Sequence, residues 1–369
     1  MKYFIVVGEQ SADNHAADVV RQLQLLDNDL EIQAWGGDSL KLVGVQLLRH
    51  INGYSAMGFW EIFKQAWKFK KLISECYLDI LAFKPQVVLL VDFGGFNLRI
   101  ASLLKRDGIK VIYYIPPKIW AWGAWRAKKL KKYTDQIFVT LPFEVRCFNK
   151  LGIHTDYVGN PVADQVQKYL SKVNEVSPYD NSPERAIVVL PGSRNQEIAH
   201  VLPIIKELVR LNPGLIFFIS KSYVVDSRFF AGLDHLSNVQ LFEGCIYDKV
   251  RNAQVAITTS GTATLEVALL GVPQVVVYKT SNTTYQIAKL LAKVNFISLV
   301  NLIAGKEVVT ELVQSKLSVL NLNREVHLLL NSTKEQKKIS EGYSEISDRL
   351  GNKLASKNVA QKIYALSRS

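Results

Sequence analysis

The chain has 369 residues, 48% of them hydrophobic and 21% charged, a balance that excludes a disordered polymer and sets an expectation of about two folded domains. No run approaches the ~18 consecutive apolar residues of a membrane span. Cys76, Cys147 and Cys245 are odd in number and far apart, which excludes a disulfide framework and fits reduced thiols in a cytosolic protein. The net charge of +12 calls for an anionic partner: nucleic acid, nucleotide or membrane.

From Met1 the chain enters a strand pattern at once, with no small-residue cleavage site, so it does not read as a signal peptide. Tyr3 to Val7 is a buried strand, Gly8 to Asp13 a turn, and Ala16, Val19, Val20 and Leu23 recur at helical spacing. Further strands are expected at Leu30 to Trp35, Val87 to Val91, Val111 to Ile115 and Ile137 to Leu141. Between Arg99 and Lys132 lie ten Lys or Arg and one acid, Asp107, so this stretch carries +9 beside Trp120, Trp122 and Trp125. It reads either as a solvated basic face or as an interface surface. Ser171 to Arg185 is polar, holds Pro178 and Pro183 and lacks periodicity, which places a linker there. The strand–helix rhythm then restarts, with strands at Ala186 to Leu190, Leu215 to Ile219, Val239 to Phe242, Val255 to Thr258 and Gln274 to Tyr278.

Apolar strands alternating with helices imply parallel sheets covered on both faces. The expected architecture is α/β, with two doubly wound Rossmann-like domains facing a cleft. An N-terminal domain spans 1–170, the linker 171–185 and a nucleotide-binding domain 186–345. A helical segment, 346–369, is left to pack across domains or onto a second subunit of a homodimer.

Candidate chemistry sits at the strand ends. Ser260-Gly261-Thr262 follows a strand and opens a helix, so its small residues and unpaired N–H groups suit a phosphate. Glu266, four residues after Thr262, suits neutral ribose hydroxyls; an N-cap with a surface Glu would read the same. Gly192-Ser193-Arg194 repeats the strand–turn–helix arrangement, and Arg194 offers a planar fork for a diphosphate leaving group, unless it is only a surface Arg on a turn. Neither turn matches the P-loop or the dinucleotide fingerprint, which disfavours an ATPase or a dehydrogenase. Asp92 ends an all-apolar strand, where a partly desolvated carboxylate serves as a general base or as a helix cap. Glu9, Ser11, Asp13 and His15 follow the first strand and are expected to face the same cleft. No His, Cys or carboxylate set has metal spacing, so neither a metal nor a cofactor is expected.

Together these motifs resemble lipid-A-disaccharide synthases. The resemblance is carried in order by Gly8-Glu9-Gln10-Ser11-Ala12-Asp13, Met57-Gly58, Asp92 with Gly95-Phe96-Asn97, Ile119-Trp120-Ala121-Trp122, Leu141-Pro142-Phe143-Glu144, Val158-Gly159-Asn160-Pro161, Leu190 to Arg194 with Glu197-Ile198, Ser260 to Glu266, and Asn301 to Gly305. It implies a glycosyltransferase-B fold and an inverting, metal-independent transfer of 2,3-diacylglucosamine from UDP to 2,3-diacylglucosamine 1-phosphate (lipid X), at the cytoplasmic face of a bacterial inner membrane. UDP is then held by Gly192, Ser193, Arg194, Ser260, Gly261, Thr262 and Glu266. Asp92 takes the acceptor 6-hydroxyl proton, and Glu9, Ser11, Asp13 and Asn97 lie on the sugar side. Ala12, Gly94, Pro116 and Asn160 stand where the family generally has Gly, Pro, Ser and His, and the last departure puts an acid–base role at that position in doubt.

The partners expected are UDP-diacylglucosamine, lipid X and the anionic membrane surface, with no nucleic acid. Gly58 to Ile73 reads as a helix on which Trp60, Phe63 and Trp67, beside Phe59, form a membrane and acyl contact edged by Lys64, Lys68 and Lys71. The same spacing would also suit an ordinary core face. The rival functions are a UDP-N-acetylglucosamine 2-epimerase, a transferase for another lipid-linked sugar, and, more remotely, a nucleic-acid-binding protein, for which no recognition motif is present.

Overall fold

The computed structural model describes residues 1–54, 66–121, 123–173, 185–222, 225–291 and 294–368. The chain divides into two compact units, Met1–Pro161 with Asn352–Ser369, and Val162–Gly351.

The first unit runs β1 (Lys2–Val7), α1 (Gln10–Gln24), β2 (Glu31–Gly36), α2 (Asp38–Leu42), β3 (Gln46–His50), α3 (Ala66–Phe83), β4 (Val87–Val91), α4 (Gly94–Leu104), β5 (Lys110–Tyr114), α5 (Ala127–Tyr133), β6 (Gln136–Val139), α6 (Pro142–Asn149) and β7 (Asp156–Tyr157). Its seven strands lie in the order β3-β2-β1-β4-β5-β6-β7, all parallel. Val87 to Val91 are all buried, as a strand covered by helices on both faces requires.

The second unit runs α7 (Pro161–Leu170), β8 (Ala186–Leu190), α8 (Asn195–Leu211), β9 (Ile216–Ser220), β10 (Val239–Phe242), α9 (Tyr247–Arg251), β11 (Val255–Thr259), α10 (Thr262–Leu269), β12 (Gln274–Tyr278), α11 (Asn282–Leu291), α12 (Leu299–Ala304), β13 (Glu311–Val313), α13 (Val319–Asn331) and α14 (Thr333–Leu350). Its parallel sheet has the order β10-β9-β8-β11-β12-β13. The last helix, α15 (Ala355–Arg368), belongs to the first unit, where it packs on α1.

Two expected boundaries move. The break falls at Pro161 rather than after 170, because α7 is bound to the second unit: the Tyr169 ring meets Tyr247 edge-on at 5.1 Å and its hydroxyl donates to Asp248. Most of the expected linker, 174–184, lies outside the described residues. At the other end α14 stays with the second unit, and only the chain from Asn352 onward returns to the first. Gly159 admits that return. Its φ of +109° suits glycine, and a Cβ there would sit 2.3 Å from the Lys353 carbonyl oxygen. Asn358 Nδ2 then donates to the Val158 carbonyl at 2.8 Å, and Lys362 pairs with Asp156 at 2.9 Å.

Candidate active site

In each sheet the chain winds outward in both directions from one pair of strands, β1 and β4 in the first unit, β8 and β11 in the second. Loops at the carboxyl ends of such a pair diverge and leave a crevice, where doubly wound sheets bind ligands. The four turns singled out in the sequence are the four that leave these strands.

In the first unit Gly8 follows β1, and a Cβ there would fall 2.1 Å from Phe93 Cγ. Only a glycine lets Phe93, in the turn after β4, cross at that point. Asp92 and Phe93 both adopt φ of +50°, which costs an ordinary residue energy and persists only under constraint. The constraints are visible. The Asp92 N–H donates to the Tyr114 carbonyl at 3.0 Å, and the Asp92 carbonyl accepts from the Tyr113 hydroxyl at 2.6 Å and from Asn97 Nδ2 at 2.9 Å. Phe93 stacks on Phe96 with ring centroids 4.9 Å apart. The helix cap itself is Phe93, so Asp92 is not spent as a cap. Burial pushes the Asp92 carboxyl up to about 6; the neighbouring Glu9 carboxyl adds to this and Lys118 opposes it. Glu9 is exposed and accepts from the Ser11 hydroxyl at 2.7 Å.

Two residues expected on the sugar side are corrected. Asn97 is fully buried and turns its amide to the Val91 and Asp92 carbonyls, so it positions Asp92 from beneath. Asp13 is also fully buried, with one oxygen accepting the Gly37 N–H at 2.6 Å and the other the Ser39 N–H at 2.8 Å. It fixes the β2–α2 turn. His15 is half-buried with its Nδ1 inward, and burial pulls it down to about 4, so it is neutral at ordinary pH.

In the second unit Gly192 has a φ of +106°, and a Cβ there would meet Glu197 Oε2 at 2.8 Å. The turn therefore requires glycine. Arg194 caps α8 with its side chain 75% exposed, touching Glu197 at 3.4 Å. An exposed pair of this kind is worth ~0–1 kcal/mol, so breaking it would cost Arg194 little. Ser193 is exposed beside it.

The turn after β11 departs from expectation at Ser260. Its N–H donates to the Val277 carbonyl at 3.3 Å and its hydroxyl to the Ile297 carbonyl at 2.8 Å, so Ser260 shapes the loop from within. The open donors are those at the head of α10, where Gly261 is the cap and supplies no side-chain bond. Glu266 is not a surface Glu. It is half-buried, accepts from the Tyr247 hydroxyl at 3.0 Å, and burial holds its carboxyl above the usual range.

Of the membrane residues, Phe59, Trp60 and Phe63 lie outside the described residues, as do Met57, Gly58 and Trp122. Trp67 is 65% exposed, with Lys68 over its ring at 5.9 Å and Lys70 and Lys71 exposed nearby. Phe69, Leu72, Ile73, Cys76 and Ile80 form the inward face of α3, which continues to Phe83 and not to Ile73. Trp125 is 63% exposed between Arg126 and Lys129, whereas Trp120 is turned inward: its indole N–H donates to Glu144 at 2.9 Å and its ring packs on Phe143. Among the described residues, no helix is long and apolar enough to cross a membrane and no group of three His, Cys, Asp or Glu is placed to hold a metal ion. Sequence reasoning missed Tyr247, whose hydroxyl bonds Glu266, and Glu311, which bonds the Ile297–Ser298 turn; neither belongs to a local motif.

A family model described as lipid-A-disaccharide synthetase matches residues 3–363. The lipid-A-disaccharide synthase of Geobacter metallireducens is 32% identical over 368 residues, covering 97% of this chain and 95% of the relative. That of Myxococcus xanthus is 33% identical over 374 residues, covering 99% and 97%. Among solved structures, a UDP-GlcNAc 2-epimerase from Neisseria meningitidis bound to UDP-GlcNAc superposes with a TM-score of 0.70 at 17% identity, covering 99% of this chain and all of that one. The glycotransferase of kitacinnamycin superposes with a TM-score of 0.65 at 12% identity, covering 99% and 98%. At these identities the structural likenesses show the fold alone, that of the glycosyltransferase-B enzymes and UDP-GlcNAc 2-epimerases.

Proposed function

The chain belongs to the lipid-A-disaccharide synthetase family, and on that premise we propose that it transfers 2,3-diacylglucosamine from UDP to the 6-hydroxyl of 2,3-diacylglucosamine 1-phosphate, releasing UDP. The observation that carries this reading is the match across 3–363, which spans all four strand-end turns.

Asp92 is the general base in this reading. A carboxyl raised to about 6 is ionised at neutral pH yet holds a proton far better than an unperturbed aspartate. It takes the proton from the acceptor 6-hydroxyl. The oxygen attacks the donor anomeric carbon from the face opposite the diphosphate, and the bond from that carbon to the UDP oxygen breaks with inversion. Negative charge then grows on the leaving diphosphate, where the amides at the head of α10 and the Arg194 guanidinium receive it. Glu266, held by Tyr247, takes the ribose hydroxyls. Glu9 and Ser11 remain on the sugar side, both exposed, with the Glu9 carboxyl neighbouring Asp92.

The lipid substrates are met at an anionic bilayer on the cytoplasmic side of the inner membrane. The support for this is the pair of outward tryptophans, Trp67 and Trp125, each with cations over its ring.

The test is to incubate the protein with UDP-2,3-diacylglucosamine and lipid X and measure the disaccharide 1-phosphate and UDP. Equimolar formation of the two is expected. Turnover of UDP-GlcNAc to its 2-epimer with no disaccharide formed would overturn the reading.

A further inference from the structure

The motif Asn301 to Gly305 has no role in the chemistry above, yet it sits beside the phosphate turn. Four donors converge on one carboxylate there. Glu311, at the start of edge strand β13, accepts the Ile297 N–H at 3.0 Å on one oxygen. Its other oxygen accepts the Ser298 N–H at 3.0 Å, the Ser298 hydroxyl at 2.7 Å and Asn301 Nδ2 at 2.9 Å. Ser298 and Asn301 are fully buried. Asn301 in turn accepts the Val308 and Val309 N–H groups at 2.8 and 3.0 Å, which ties the turn to the approach to β13.

The other side of this turn touches the nucleotide loop. The Ile297 carbonyl accepts the Ser260 hydroxyl, and the Leu299 N–H donates at 3.3 Å to Thr264 Oγ1, whose own proton goes to the Gly261 carbonyl at 2.8 Å. Glu311 therefore reaches Ser260 through Ile297 and Gly261 through Leu299 and Thr264. Those two residues set where the open amides at the head of α10 point.

We infer that Glu311 is a positioning residue for the diphosphate: its carboxylate fixes the Ile297–Ser298 turn, and the turn fixes the donor amides of the Ser260–Thr262 loop. The inference rests on the reading that UDP docks at this loop. A carboxylate suits the role because all four partners are donors and it offers only acceptor sites. A glutamine would present an NH₂ to at least one of those donors and leave it without an acceptor.

The experiment measures UDP affinity by calorimetry in the full chain, with amide exchange at Ser260, Thr264 and Leu299 followed without ligand. Glu311→Gln is expected to weaken UDP binding by about tenfold, the scale of one lost charge-assisted hydrogen bond. It should also speed exchange at Ser260, Thr264 and Leu299, whose N–H groups are bonded within this network, and leave KM for the lipid acceptor unchanged. Glu325→Gln serves as the control, since Glu325 is a buried carboxylate of the same unit and bonds Thr310 and Arg324; it should lower Tm without moving UDP affinity. Normal UDP affinity in Glu311→Gln, or an equal loss in Glu325→Gln, overturns the inference. If Glu311→Gln does not fold, Ser298→Ala decides: it removes the 2.7 Å bond to Glu311 together with the cap bond that the hydroxyl accepts from the Asn301 N–H at 3.2 Å, and is expected to weaken UDP binding by about threefold, whereas unchanged affinity overturns the inference. A wild-type chain that binds no UDP would instead overturn the docking site itself.

Discussion

Gly8 and Phe93 compete for one volume, since a methyl on Gly8 would lie 2.1 Å from Phe93 Cγ and 2.5 Å from its Cβ. The turn after β1 thus sets the position of the turn after β4, and with it the carboxyl of Asp92. Gly8→Ala is expected to displace Phe93, destabilise the chain by about 1–3 kcal/mol as overpacking does, and reduce turnover further than the change in Tm accounts for. Turnover in proportion to the folded fraction would show that Asp92 tolerates the shift.

Asp92→Asn keeps the shape and removes the base. The expected result is retained UDP binding with kcat falling more than KM changes. The pH profile carries a second signature. With the carboxyl raised to about 6, wild-type kcat/KM should climb through that pH and level off, and the variant should lack this limb.

The same shift has a stability sign. The folded chain holds the Asp92 proton more tightly than the unfolded chain, so this group favours folding most below its ordinary 3.8 and progressively less as pH rises through about 6. Asp92→Asn should therefore gain Tm relative to wild type on going from pH 4 to pH 8. A constant difference between the two melting curves would mean that burial does not perturb this carboxyl.

Arg194→Ala should lower turnover roughly 100- to 1000-fold, the loss of one transition-state contact of about 3–4 kcal/mol. Its unfolding free energy should stay within ~0.5 kcal/mol of wild type because the side chain is exposed and its pair with Glu197 is loose. Lys should rescue only in part, since it lacks the planar fork. Near-normal turnover in the Ala variant would remove Arg194 from the site.

Trp67→Ser with Trp125→Ser should weaken sedimentation with anionic vesicles and leave circular dichroism unchanged, since both rings are exposed. Added salt should weaken wild-type binding as the lysines are screened. A double variant that binds vesicles as wild type does would move the contact elsewhere.

The inner strands were legible from sequence because burial on both faces leaves an unbroken apolar run such as Val87 to Val91. Of the edge strands, Val239–Phe242 was legible and the other three were not. Gln46–His50 and Glu311–Val313 are partly exposed and mix polar with apolar residues, and Asp156–Tyr157 is two residues long. The four turns that leave the inner strand pairs could be read because each is a local strand–turn–helix sequence. What could not be read was the direction a polar side chain takes once folded. Asp13 and Asn97 look like ligand contacts in a motif but are turned inward to backbone partners, and Glu311 bonds the Ile297–Ser298 turn, fourteen and thirteen residues away in the chain, rather than any residue of a local motif.

The return of Asn352–Ser369 to the first unit has a consequence during synthesis. The α1 face that α15 covers stays bare while Val162–Gly351 are made. At about 5–20 residues per second that interval lasts roughly 10–40 s. Through it the nascent N-terminal unit exposes the apolar seam that later receives Val359, Ala360 and Ile363. The chain's first unit to emerge is the last to be completed, and a ribosome stalled anywhere before residue 352 holds an unfinished half of the enzyme.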